Sequence, residues 1–275
     1  PLTDMRQMSN QIALGDLSAR TIIPNVEELI PLAKNLNSMA GQIDLLFKKN
    51  IEEQQNLQKA EMKALQAQIT PHFLYNTFDT IIWLAEEEKT EEVVKITKAF
   101  SDFLRISLSR GHEWITIGQE LEHIRNYLTI QKIRYADILN YEIIANEELS
   151  DFKTIKLILQ PLVENAIYHG IKNKRGRGHL VVTVDYADES QTEILFTVED
   201  DGAGFSPERL EQVKQEMNSD SGAENLTSVY GVYNVNKKLK LYYGDKTQGL
   251  VIESERNKGS KISYVIPCLT GEESV

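Results

Sequence analysis

The sequence has one cysteine, Cys268, in 275 residues. That excludes an intrachain disulfide and a cysteine-based zinc site, and it fits a reducing compartment. No run approaches the roughly 18 apolar residues of a membrane helix. No basic-then-apolar leader opens the chain. Basic charge is scarce: 30 Lys and Arg stand against 41 Asp and Glu, a net charge of −11. Such a chain has no electrostatic footprint for nucleic acid and no general attraction to an anionic membrane surface. What is present is 41% hydrophobic and 26% charged residues, enough for a real core and about two domains with connecting helices. The chain opens on Pro1 rather than Met and is expected to be a piece of something longer.

The first 110 residues or so carry helical periodicity. Leu2, Met5, Met8 and Ile12 form one stripe, which Gly15, Asp16 and Pro24 interrupt. Leu29, Ala33, Leu36, Ile43 and Leu46 form a second, and Met62, Leu65, Ile69 and Phe73 a third. Such a long interrupted helix needs a partner helix to bury its seam. The acidic run 86–92 reads as a solvated turn, and Val93, Ile96, Phe100 and Leu104 mark a returning helix. Two copies of that hairpin would form a four-helix bundle, so a homodimer is expected. Gly111 marks a break. Beyond residue 118 the pattern changes to one more helix and then strands at 141–145, 180–186, 193–198, 249–254 and 261–266. Helices near 155–171 and 229–242 lie among them. Hairpin-type spacing with few crossovers reads as an α+β sandwich, one sheet covered by helices.

Four elements of this second half bear on ligand chemistry. Asn165 falls in an apolar helix with Leu162, Val163, Ala166 and Ile167, where an amide is costly unless it bonds something. Either neighbouring backbone or a Mg²⁺ ion carrying nucleotide phosphates would satisfy it. His169 and Lys172 follow, within reach of phosphates or simply solvated. Asp200, Gly202 and Gly204 come directly after a strand. A carboxylate there accepts from an exocyclic amine and the glycines allow close backbone approach, although a plain turn uses the same residues. About 25 polar residues then lead to Gly231 at a helix start, where backbone N–H groups favour phosphate. A polar loop of that length inside a domain suits a lid. Gly259 and Ser260 open the last strand, as a hairpin turn also would.

The order and spacing of these elements resemble the GHKL ATP-binding fold, shared by histidine kinases, DNA gyrase B and MutL. The resemblance covers roughly residues 118–268. It implies that ATP is bound, that Asp200 holds the adenine amine, that Asn165 binds Mg²⁺, and that 205–231 form the ATP lid. In the hydrolytic relatives a glutamate four residues before the Mg²⁺ asparagine activates water. Here that position is Pro161, which argues for phosphoryl transfer to another acceptor.

Residues 66–76 contain QAQI and PHFLYN. This string resembles the phosphoacceptor segment of LytS/YesM-type sensor histidine kinases. It implies that His72 attacks the γ-phosphate of ATP and that the phosphoryl group passes to an aspartate of a response regulator. From the residues alone, His72 lies about 100° off the Leu65/Ile69/Phe73 stripe, at a solvent-reachable edge, and a neutral imidazole is nucleophilic near pH 7. Many relatives carry an acid after the histidine where this chain has Phe73, so a base must come from elsewhere, and Glu164 is a candidate. Asn76, one turn after His72, is a candidate for positioning water in dephosphorylation of the partner. Pro71 has two readings. Thr70 caps a new helix, or one long helix kinks; the register of the stripe across the proline favours the kink.

Residues 1–57 resemble a HAMP linker: a helix, Gly15-Asp16-Leu17, then Val26-Glu27-Glu28-Leu29 opening a second helix. A generic coiled coil has the same look. The resemblance implies a parent anchored in the bacterial plasma membrane, of which this is a cytoplasmic portion. The expected division is therefore 1–57 HAMP-like linker, 58–112 phosphoacceptor hairpin and 113–275 ATP-binding domain.

Overall fold

The computed structural model describes residues 1–68, 71–108, 113–218 and 230–270, and divides the chain into two compact units, Pro1–Thr70 and Pro71–Val275. The first unit opens with α1 (Leu2–Ala13), whose buried side chains are Met5 and Met8. Gly15 follows in the left-handed region, φ 97°, and Asp16 accepts from the backbone N–H and hydroxyl of Ser18. The connector is tied down by a reciprocal pair in which Asn37 bonds both the N–H and the carbonyl of Thr21, each at 2.9 Å. After a 3₁₀ turn at Glu27–Leu29, α2 (Ile30–Gln68) runs 39 residues. Ala33 and Ala40 are buried, while Leu32, Met39, Ile43, Leu46 and Phe47 are exposed. One chain thus leaves much of the apolar stripe of α2 uncovered.

The second unit begins with α3 (Pro71–Glu86) and α4 (Thr90–Ser107), joined by a tight turn with Glu88 at φ 58°. The expected kink falls at residues 69 and 70, outside the described residues; α3 has Pro71 as its first residue, a position that its fixed φ suits. Gly111 likewise lies outside them. The buried stripe of α4 (Ile96, Ala99, Phe100, Phe103, Ser107) packs on α5 (Ile117–Arg134). A capping box starts α5: Thr116 Oγ1 accepts from the Gln119 N–H and Gln119 Oε1 from the Thr116 N–H. Between α4 and α5, the His123 ring stacks on Phe103 at 4.5 Å and its Nε2 lies 2.9 Å from Ser107 Oγ. Burial, with Lys156 nearby, pushes His123 down to about 4, so it is neutral at pH 7.

The sheet that follows has strand order β2-β4-β5-β7-β6, from β2 (Leu139–Ala145), β4 (Gly178–Tyr186), β5 (Glu193–Asp200), β6 (Val251–Glu255) and β7 (Gly259–Pro267). All neighbours are antiparallel except β2 and β4. That parallel pair needs a crossover, which runs through α6 (Leu159–Asn165). A second, two-stranded sheet pairs β1 (Trp114–Thr116) with β3 (Lys153–Ile155), an addition to the single expected sheet. Alternation along the strands directs Leu180, Val182, Val184, Ile194, Phe196, Val198, Ile262, Tyr264 and Ile266 inward. There they meet α6 and α8 (Tyr230–Tyr243), whose buried face is Val232, Val235, Leu239 and Tyr243. The α+β sandwich expected from the sequence is what forms. The stretch expected as a polar lid contains a helix, α7 (Pro207–Asn218). Its remaining part, 219–229, lies outside the described residues.

Candidate nucleotide site and phosphoacceptor

Strand alternation explains where Asp200 points. It shares the phase of Ile194, Phe196 and Val198 on β5, so its carboxyl is carried to the helix-covered face at the strand end and is 5% exposed. Register aligns it with Leu180 on β4 and Ser260 on β7. Oδ1 accepts from the Gly202 N–H at 2.8 Å. Burial, reinforced by Asp201 and Glu199, pushes Asp200 up to about 6 despite that bond. A carboxylate held in this way gains from any further donor brought to it.

The Asn165 helix packs beside this strand end. Asn165 ends α6 and is buried. The next five residues, Ala166–Gly170, form a π turn, a widened turn frequent at functional sites. It delivers Gly170 to Asp200: a Cβ on Gly170 would lie 2.4 Å from Asp200 Oδ1, and one on Gly202 would lie 2.3 Å from the Gly170 carbonyl carbon. The Ala203 N–H donates to the Gly170 carbonyl at 3.1 Å, and Lys174 pairs with Asp201 at 2.8 Å. A short loop and a helix end are stitched together around one acid.

The glycines anticipated from the sequence therefore serve close approach within the protein. Gly204 (φ 61°) faces the Glu255 carbonyl, and Gly259 (φ 114°) faces the Asp200 carbonyl, where a Cβ would come within 1.9 Å. Ser260 Oγ is 3.0 Å from Ser254 Oγ, which accepts from the Phe205 N–H. Gly231 sits over Pro161, one turn before Asn165. Asp200, Gly202, Gly204, Gly259 and Ser260 are thus brought together, with Asn165 and Gly231 joined through the α6–α8 contact. His169 is exposed, and its carbonyl accepts from Asn173. Lys172 belongs to another group: its ammonium lies 5.0 Å from the rings of both Tyr135 and Tyr168 and donates to Tyr135. Glu164 turns toward α5, accepting from Gln160 at 2.8 Å and from the Tyr127 hydroxyl; burial raises its pKa against those bonds.

His72 is exposed at the second position of α3, and Phe73 beside it is buried. The Phe73 ring lies 5.0 Å from Phe103 and 5.1 Å from Tyr127. Asn76 is half-buried, and its carbonyl accepts from Thr80. Sequence reasoning missed Tyr127 and Gln131. Gln131 donates to Tyr127 at 2.7 Å and to Tyr168 at 3.2 Å, tying α5 to the π turn. Both lie in helical phase with Ile117 and Ile124, so polar groups on an apolar face were the available signal.

A buried carboxyl stands at a strand end, and a buried amide ends the helix that packs beside that strand. Among the described residues there is no cluster of three or more His, Cys, Asp or Glu that could hold a metal ion.

The family described as "Histidine kinase" matches residues 60–139, and that described as "Histidine kinase-, DNA gyrase B-, and HSP90-like ATPase" matches 150–270. The sensor histidine kinase YesM of Bacillus subtilis is 32% identical over 86% of this chain and 38% of its own length. The sensor protein LytS of Bacillus cereus is 36% identical over 79% of this chain and 36% of its own. The sensor protein kinase HptS of Staphylococcus aureus is 31% identical over 94% of this chain and 48% of its own. The chain thus spans about a third to a half of the length of these relatives.

Proposed function

This chain belongs to the sensor histidine kinases, and from that membership we propose that it transfers the γ-phosphoryl group of ATP to His72 and then to an aspartate of a response regulator. What supports the reading is that an exposed imidazole and the Asp200–Asn165 site lie in one compact unit. The ATPase family matched at 150–270 implies ATP binding by that part of the chain. Bound Mg²⁺-ATP would supply the phosphoryl group.

The residues then divide the work. Asp200 accepts from the adenine amine. Asn165 is the ligand offered to Mg²⁺, with His169, Gly231, Gly259 and Ser260 around the nucleotide, while Lys172 stays with Tyr135 and Tyr168. His72 attacks through a neutral ring nitrogen, the N–P bond forms as the bond to the ADP oxygen breaks, and the ring N–H proton leaves to a base. Glu164, whose raised pKa suits a proton acceptor, is the proposed base, and Asn76 the proposed water-positioning residue for dephosphorylation. Pro161 has no acid–base chemistry, which favours transfer over hydrolysis.

Residues 1–57 serve as a HAMP-like linker, 58–112 as the hairpin and 113–275 as the ATP-binding domain. A homodimer would cover the uncovered stripe of α2 and the exposed Phe78, Ile82 and Trp83 of α3; a monomer in sedimentation would remove that part of the proposal. No helix among the described residues is long and apolar enough to cross a membrane; the membrane anchor of a cytoplasm-facing parent is part of this proposal.

Incubation with γ-labelled ATP tests the reading. The expected product is an acid-labile, base-stable phosphoprotein, absent in His72→Gln while ATP binding persists. Release of free phosphate without labelled protein, or label retained in His72→Gln, would overturn it.

A further inference from the structure

The seven-residue helix ending in Asn165 has no side-chain cap from its own sequence. Its start is held from elsewhere. Glu120 on α5 is fully buried. Its Oε2 accepts from the Leu157 N–H, and its Oε1 from the N–H groups of Ile158 and Leu159, each at 2.9 Å. Leu157 stands at φ 61°, a left-handed conformation that a leucine adopts only when its surroundings impose it. A local Ser, Thr or Asp is the common way to cap a helix start. Here a carboxylate 37 to 39 residues away does so, although burying it is unfavourable and raises its pKa, with Lys238 providing partial compensation.

The three bonds fix where α6 begins. A helix of this length is about 10 Å long and rigid, so its start also fixes where Asn165 ends up. The helix that provides Glu120 carries Tyr127 and His123 against the hairpin, where Phe73 adjoins His72.

We propose that Glu120 is a positioning residue for the nucleotide site, setting the location of Asn165 from α5 through the backbone of residues 157–159. The proposal rests on the function proposed above. It makes nucleotide affinity depend on the same helix that seats the phosphoacceptor hairpin.

The test is Glu120→Gln in the full chain. The amide keeps one acceptor for Ile158 and Leu159 but turns a donor toward the Leu157 N–H. With the loss of one charge-assisted bond and a donor–donor clash, the KM for ATP in autophosphorylation is expected to rise on the order of tenfold. A merely structural role would lower the melting temperature and the active fraction while leaving KM unchanged. An unchanged KM in folded Glu120→Gln overturns the proposal. Should that variant fail to fold, hydrogen exchange of the wild-type amides 157–159 decides: a non-hydrolysable ATP analogue is expected to slow it severalfold, and no slowing overturns the proposal. Wild-type protein that neither binds nucleotide nor labels in the same assays would instead sink the proposed function itself.

Discussion

Asp200 offers a perturbation whose size follows from the structure. Its carboxyl titrates near 6 because it is buried, whereas in an unfolded chain an aspartate titrates near ~3.9. Between those values the folded protein holds a proton that the unfolded chain has lost, so stability is greatest at the acid end and falls as pH rises through about 4 to about 6. A difference of about two pH units corresponds to roughly 3 kcal/mol. Asp200→Asn removes the titration while keeping an oxygen for the Gly202 N–H. Denaturant unfolding of both proteins from pH 4 to 7, without nucleotide, isolates the term, because the other carboxylates cancel in the difference. The variant should match the wild type near pH 4 and exceed its stability by roughly 3 kcal/mol near pH 7. Saturating ATP should reverse the order at neutral pH, since a ligand at about a thousand times its Kd stabilises the protein that binds it by about 4.1 kcal/mol, more than the roughly 3 kcal/mol deficit. A pH-independent difference between the two proteins would refute the account of a carboxylate kept uncomfortable until its ligand arrives.

Three further outcomes follow from packing and exposure. Gly202→Ala would put a Cβ 2.3 Å from the Gly170 carbonyl carbon and 2.5 Å from Asp200 Oδ1. It is expected to destabilise the unit by ~1–3 kcal/mol and to abolish ATP binding, read by thermal melting with and without nucleotide. Phe73→Ala would leave a gap between Phe103 and Tyr127 and cost about 3 kcal/mol, read by denaturant unfolding. Tyr75→Ala, at a side chain that is 71% exposed, should change stability by less than about 0.5 kcal/mol.

The sequence reveals features that obey a local period or spacing. Asp200 is legible because a glycine-containing run, Asp200 to Gly204, directly follows a recognisable strand. His72 is legible because a solvent-reachable position follows from the helical phase of Phe73. A helix start at Ser206-Pro207-Glu208 was also available, with Ser206 Oγ accepting from the Arg209 N–H, but the polar composition of 205–231 made the whole stretch read as a loop. Strands of three residues such as β1 and β3 are too short to show any period. The parallel partnership of β2 and β4 leaves no mark on either strand.

What was out of reach is the part that depends on distant backbone. The π turn after Asn165 places Gly170 against Asp200, yet no residue in Ala166–Gly170 signals a widened turn. Glu120 reads as one more acid on a helix until residues 157–159 are seen to donate to it. These contacts share one element. On one side α5 holds the hairpin through His123 and Tyr127; on the other it holds the Asn165 helix through Glu120, and its π turn through Gln131. A shift of the hairpin that moves Phe73 would therefore meet the same helix whose Glu120 holds the start of the Asn165 helix, so under the proposed function any coupling between His72 and the nucleotide would run through α5.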